Sequence, residues 1–227
     1  MQEIYTQSQE QQAVVSTNKV LKNTYMLLAM TMAVSAVACG ISMAMNLGHG
    51  VALIMNLVAI ALVWFVLPKT ANSASGIYVV FAFTALLGAS LGPTINYYLQ
   101  TANGSQIIFQ ALAGTAMVFF ALSGYVLTTK KDFSFMRGFL MTGLIVVLLA
   151  AVAMIVAGFF GVHMPMAQLA LSGAIVLLMS GFILYDTSRI VNGGETNYVM
   201  ATVSLYLNIY NLFVSLLHIL GAVSGDD

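Results

Sequence analysis

Seven long apolar runs alternate with short polar breaks along this chain. The runs fall near residues 24–46, 50–67, 76–99, 105–128, 138–160, 166–190 and 199–222. The breaks NLGHG, PKTANSAS, QTANG, TTKKDFSFMR, GVHMPM and VNGGETN carry turn chemistry in glycine, proline, asparagine and serine. A helix needs about 20 mostly apolar residues to cross the hydrocarbon core of a bilayer. The pattern therefore predicts an all-α membrane protein with seven transmembrane helices, the second span being the shortest. No halves match as the inverted repeats of a transporter would. Ahead of the first run, MQEIYTQSQEQQAVVSTNKVLKN is polar and lacks the charged-then-apolar order of a signal peptide. The expected organisation is a polar tail over 1–22, disordered or lying on the surface, a seven-helix domain over 23–222, and a short tail over 223–227.

Composition names the solvent. Of 227 residues, 60% are hydrophobic and 6% are charged, and the mean hydropathy is +0.96. Soluble domains carry about 25% charged residues, so this supply could not cover a surface in water. Lipid is the expected partner. Seven Lys/Arg against seven Asp/Glu leave no net charge, which argues against nucleic acid. The one cysteine, Cys39, excludes an internal disulfide and a thiol metal cluster.

The cations set a direction. Lys19 and Lys22 precede the first span, Lys69 follows the second, Lys130, Lys131 and Arg137 separate the fourth from the fifth, and Arg189 ends the sixth. All seven lie on one side, so the positive-inside rule places the N-terminus in the cytoplasm and the C-terminus outside.

Polar residues inside the spans are the candidate chemistry. Ser204, Asn208, Asn211, Ser215 and His218 are spaced 4, 3, 4 and 3, which puts them on one face of the seventh helix. Amides facing lipid are costly, so the face should turn inward. Interhelical hydrogen bonds and a solvated ion path both fit it. Asp186 is the only acid within a span, about 6–8 Å from the nearer boundary at 1.5 Å per residue. Arg189, one turn on, can pair with it or reach to the interface. An acid within the membrane is a functional candidate by default. The pattern G-x-S-x-G occurs at Gly88–Gly92, but mid-span, where a hydrolase elbow does not belong. Gly88 and Gly92 read better as a small-xxx-small packing face. His49 and His163 fall in expected outward loops. Nothing in the pattern calls for catalysis, a bound metal or a cofactor.

Several segments carry a family likeness. They are the Gly92-Pro93 pair, the A-x-x-x-T-A-x-x-F run from Ala111 to Phe119, TTKKDFSF, LYDTSRI and SLYLNIYNLFVSLLHILG. Together they resemble the Bax inhibitor-1 family over roughly residues 15–222, and VLKNTY and GGETNYVMATVSLY resemble its bacterial YccA-like branch. The resemblance implies a bundle whose seventh helix is central. It also implies a pH-sensitive calcium leak, calcium being permeant rather than bound, with two aspartates on spans six and seven sharing a proton. Asp186 matches the first aspartate, whereas Asn208 stands at the second. Two close carboxylates cannot both ionise cheaply, and an amide supplies no such repulsion. The bacterial branch implies a modulator that binds and restrains an FtsH-type, membrane-anchored, ATP-dependent protease. Self-association is left open by the sequence.

Overall fold

A computed structural model describes residues 2–162 and 164–224, with side chains from Val15 onward. His163 and the expected outward tail from Gly225 lie outside the described residues. Among the described residues every regular element is helical: α1 (Gln2–Ala44), α2 (His49–Ala61), α3 (Leu67–Thr70), α4 (Ser75–Leu99), α5 (Gly104–Thr129), α6 (Arg137–Phe159), α7 (Pro165–Val191) and α8 (Tyr198–Ser224). A π-helical turn, Leu62–Val66, joins α2 to α3, and a 3-10 turn, Ser134–Met136, leads into α6. Among the described residues, seven helical stretches are long and apolar enough to cross a membrane: Val15–Ala44, His49–Thr70, Ser75–Leu99, Gly104–Thr129, Ser134–Phe159, Pro165–Val191 and Tyr198–Ser224. The chain is an all-α membrane protein.

The segment 1–22, expected to be a disordered or surface-lying tail, is helical from Gln2 as part of α1. Residues 2–22 contain neither glycine nor proline, and Gln, Glu, Ala, Leu and Lys are good helix formers. The helix nucleated in the first span thus runs back through them.

The surface is apolar in the way a lipid solvent permits. Trp64, Phe109, Phe120, Phe159 and Leu177 are all largely exposed, a display that would drive association in water. Half of span seven's apolar stretch is buried, against 6% for span five.

The chain divides into two compact units. One comprises residues up to Ala102 with Ile190–Tyr206, the other Asn103–Arg189 with residues from Leu207 onward. In the first unit α1 and α4 meet along small residues. Thr24, Thr31, Ser35 and Ser42 are buried and their spacing of 7, 4 and 7 puts them on one face of α1. Gly88 and Gly92 of α4 lie against it. A Cβ on Gly88 would strike the Ser35 carbonyl oxygen, and one on Gly92 would lie 2.6 Å from the Ser42 Cβ. Tyr206 of α8 completes this core: its ring packs edge-on against Phe83 at 5.6 Å, and its hydroxyl pairs with the Ser35 hydroxyl at 2.7 Å. The first turn of α8 is capped by Asn197, whose Oδ1 accepts from the backbone N–H groups of Val199 (2.9 Å) and Met200 (3.1 Å).

The π turn lies directly before Pro68. Pro68 has no N–H and its ring crowds the carbonyl four residues back. Just before it, the Leu67 N–H bonds to the Leu62 carbonyl, five residues away, which is the wide-turn pattern. Leu67 is buried, as are Ala52 and Ala59 on α2, while Trp64 and Phe65 point outward.

In the second unit α6 docks mainly through Leu140, its one buried residue. That side chain seats where a Cβ on Gly181 of α7 would be only 2.6 Å from Leu140 Cδ2.

Candidate functional site

Three consecutive buried polar residues of α7 in the second unit each reach a different element. Asp186 accepts a hydrogen bond from Asn208 Nδ2 of α8 at 2.7 Å. The Thr187 hydroxyl pairs with that of Ser123 on α5 at 3.0 Å. Ser188 Oγ accepts from the Phe133 N–H in the α5–α6 loop at 2.9 Å. A helix places successive residues about 100° apart, so three in a row can serve three neighbours. Asp186 and Asn208 are 8% and 6% exposed. An amide can donate to a carboxylate only through its nitrogen, so the acid fixes the orientation of Asn208. This is the acid that the sequence places within a span, joined to the amide at the position the family resemblance assigned to a second acid.

The loop that Ser188 holds is itself organised. Asp132 accepts from the Ser134 N–H at 2.8 Å and from the Ser134 hydroxyl at 3.0 Å. These bonds, with a further one from Ser188, hold the Asp132 carboxyl below the usual carboxylate range. Lys131 lies 5.6 Å over the Tyr125 ring, and its bond to the Tyr125 hydroxyl raises its ammonium above the ordinary lysine range.

The remaining sequence candidates are distributed as follows. Arg189 is half-buried, its guanidinium 5.7 Å from the centroid of the Tyr185 ring on its own helix. Asn211 Nδ2 donates back to the Leu207 carbonyl at 2.8 Å, within α8. Ser215 is buried. His218 Nδ1 pairs with the Ser172 hydroxyl of α7 at 2.9 Å. Ser204 is half-buried and belongs to the first unit. The leucines interleaved with this face, Leu205, Leu212 and Leu217, are more buried than the polar residues themselves, so α8 is packed on more than one side. Ser90, the serine of the weak elbow pattern, donates to the Leu87 carbonyl, 2.7 Å from its Oγ, with Asn56 Oδ1 a second acceptor within reach at 3.2 Å, inside continuous helix.

Sequence reasoning missed Thr187, Ser188, Ser123 and Ser172. The first two stood beside Asp186, and a run of three small polar side chains in an apolar helix was the available signal.

A membrane protein of Vibrio cholerae, described as uncharacterized, is 51% identical over 99% of this chain and 98% of its own. The Escherichia coli K12 protein named "Modulator of FtsH protease YccA" is 48% identical over all of both chains; its counterpart in a second strain of that species is named "Inner membrane protein YccA". The pattern of the family described as "Inhibitor of apoptosis-promoting Bax1" matches residues 17–225, and the chain belongs to this Bax inhibitor-1 family.

Proposed function

We propose that this protein modulates an FtsH-type, membrane-anchored, ATP-dependent protease by binding it directly, and restrains it. The observation that carries this reading is identity of 48% over the full length of both chains with the Escherichia coli protein whose name states that role. The protein acts from the inner membrane of a bacterium with its N-terminus in the cytoplasm, a placement that rests on the one-sided cations. Residues 1–22 then stand on the face where the protease works. Neither contact nor restraint calls for a bound cofactor. The test is co-purification of the tagged chain with the protease from solubilised membranes, together with the half-life of a membrane-protein substrate. Slower substrate turnover on expressing the chain is expected. Absence of the protease from the purified material, with substrate half-life unchanged, overturns the proposal.

A second reading is a cation leak closed by the Asp186–Asn208 bond. It is favoured by the burial of that pair across two helices, since acids inside membranes mark ion pathways. Liposomes containing only this protein should then pass calcium, and Asp186→Asn should change the flux. Equal flux in empty and loaded liposomes removes this reading and leaves the first untouched.

A further inference from the structure

The α5–α6 loop carries charge and aromatic surface to which neither reading assigns a ligand. Lys130, Lys131 and Arg137 fall within eight residues, so three of the seven cations of the chain share one short segment. All three are exposed. Lys130 closes α5 in the left-handed conformation, φ 52°, which turns the chain sharply. The one acid in the segment, Asp132, is folded onto Ser134. Three cations less one acid leave a net charge of +2. Beside them Phe135 and Phe139 are 78% and 75% exposed. Between Arg137 and Phe139, nothing beyond its chain neighbours and its own helix backbone lies within 4 Å of where a Cβ on Gly138 would be, so no other element covers α6 at that position.

We infer that residues 130–139 form an interfacial docking site for an anionic phospholipid headgroup. Span five begins at Ser134, which sets the two exposed phenyl rings at the boundary of the hydrocarbon, where apolar rings are favourable. The cations at that depth meet headgroup phosphates. A zwitterionic headgroup sets its own ammonium against them, so charge complementarity selects the anionic lipid. The loop is already held by the Phe133–Ser188 and Asp132–Ser134 bonds, so little ordering is left to oppose binding. A protein partner would need about 500 Å² or more from this side, and ten residues bordered by lipid-facing rings fit a headgroup better.

The test uses the full chain with the sole tryptophan removed and one placed in the segment, Trp64→Phe with Phe135→Trp, reconstituted in phosphatidylcholine bilayers. Tryptophan quenching by brominated phosphatidylglycerol is compared with quenching by brominated phosphatidylcholine at equal mole fraction. The anionic lipid should quench more. Each of Lys130→Gln, Lys131→Gln and Arg137→Gln should lower the selectivity by about fivefold, and Lys69→Gln, outside the segment, should leave it unchanged. Equal quenching by the two lipids overturns the inference, as does a selectivity that survives all three substitutions together.

Discussion

Two glycines four residues apart on α4 allow a sharp test of how closely the helices of the first unit approach. A Cβ on Gly88 would strike the Ser35 carbonyl oxygen, with Ser35 Oγ 2.5 Å and the carbonyl carbon 2.7 Å away. Relaxed carbon contacts lie at about 3.5–4.0 Å, so Gly88→Ala forces α1 and α4 apart by roughly 1 Å, and a gap of that size forfeits a quarter to a half of the dispersion well of each contact. Overpacking of this kind costs about 1–3 kcal/mol, partly offset by the better helix propensity of alanine, about 1 kcal/mol. At Gly92 the obstacle is a side chain instead: the Ser42 hydroxyl and the Ser42 Cβ, the latter at 2.6 Å, with Met43 N behind at 3.1 Å. Ser42→Gly removes both obstructing atoms, and the buried Ser42 hydroxyl has no hydrogen-bond partner to lose. The pair Gly92→Ala with Ser42→Gly should therefore show a favourable coupling of about 1–2 kcal/mol. Gly88→Ala with Ser35→Gly should show a smaller one, because the carbonyl oxygen remains. Gly124→Ala, with nothing within 4 Å of its Cβ, is the control and should be neutral or mildly stabilising. Cys39, the only cysteine and half-buried on α1, reports unfolding directly through a fluorogenic thiol reagent in thermal ramps. If Gly88→Ala melts like Gly124→Ala, α1 and α4 are not in backbone contact there and the reasoning fails.

Asn208→Leu leaves the buried Asp186 carboxyl without its 2.7 Å donor and should cost about 1–3 kcal/mol in the same melting assay. Asn208→Asp sets two carboxyl groups together that cannot both ionise cheaply, so the change in melting temperature between pH 5.5 and 8.5 should exceed that of the wild type; equal pH profiles would count against it. The depressed Asp132 carboxyl contributes to holding the loop above its unfolded-state value, about 3.9, and this contribution is lost as pH falls through its lower folded value. Amide exchange over residues 132–136, corrected for intrinsic rates, should rise on acidification below about pH 4, and Asp132→Asn should abolish that pH response. In a cysteine-free background, an impermeant thiol reagent added outside cells should label Ala102→Cys and not Ser134→Cys, and the reverse would overturn the proposed orientation.

The seven spans were legible because membrane insertion demands a gross signal, some 20 apolar residues in a row. Their ends matched the observed helices within a few residues except at the first, where a polar but helix-competent sequence extended α1 back to Gln2. Asp186 stood out because charge is scarce. The partners of Thr187 and Ser188 did not, since serine and threonine are common in membrane helices and the sequence does not say which neighbour each meets. The core around Tyr206 was more readable than it looked: Thr24, Thr31, Ser35 and Ser42 repeat at helical spacing in an otherwise apolar run. The α5–α6 loop drew attention for its lysines. Its fixed shape depends on Asp132, Ser134 and Ser188, and the last is 54 residues beyond Ser134 along the chain.

The wide turn at Leu62–Val66 also keeps count for span two. Ala52 and Ala59, seven apart, lie about 20° from one another around an α-helix, but Leu67, eight beyond Ala59, would fall about 80° off that line at 100° per residue. A turn that absorbs one extra residue restores the alignment, which is why Leu67 is buried with the two alanines. Span two is thus a regular helix carrying a single inserted residue. Shortening it by one position within 62–66 would leave the packed side in phase, whereas the same deletion between Ala52 and Ala59 would rotate everything beyond it away from its neighbours.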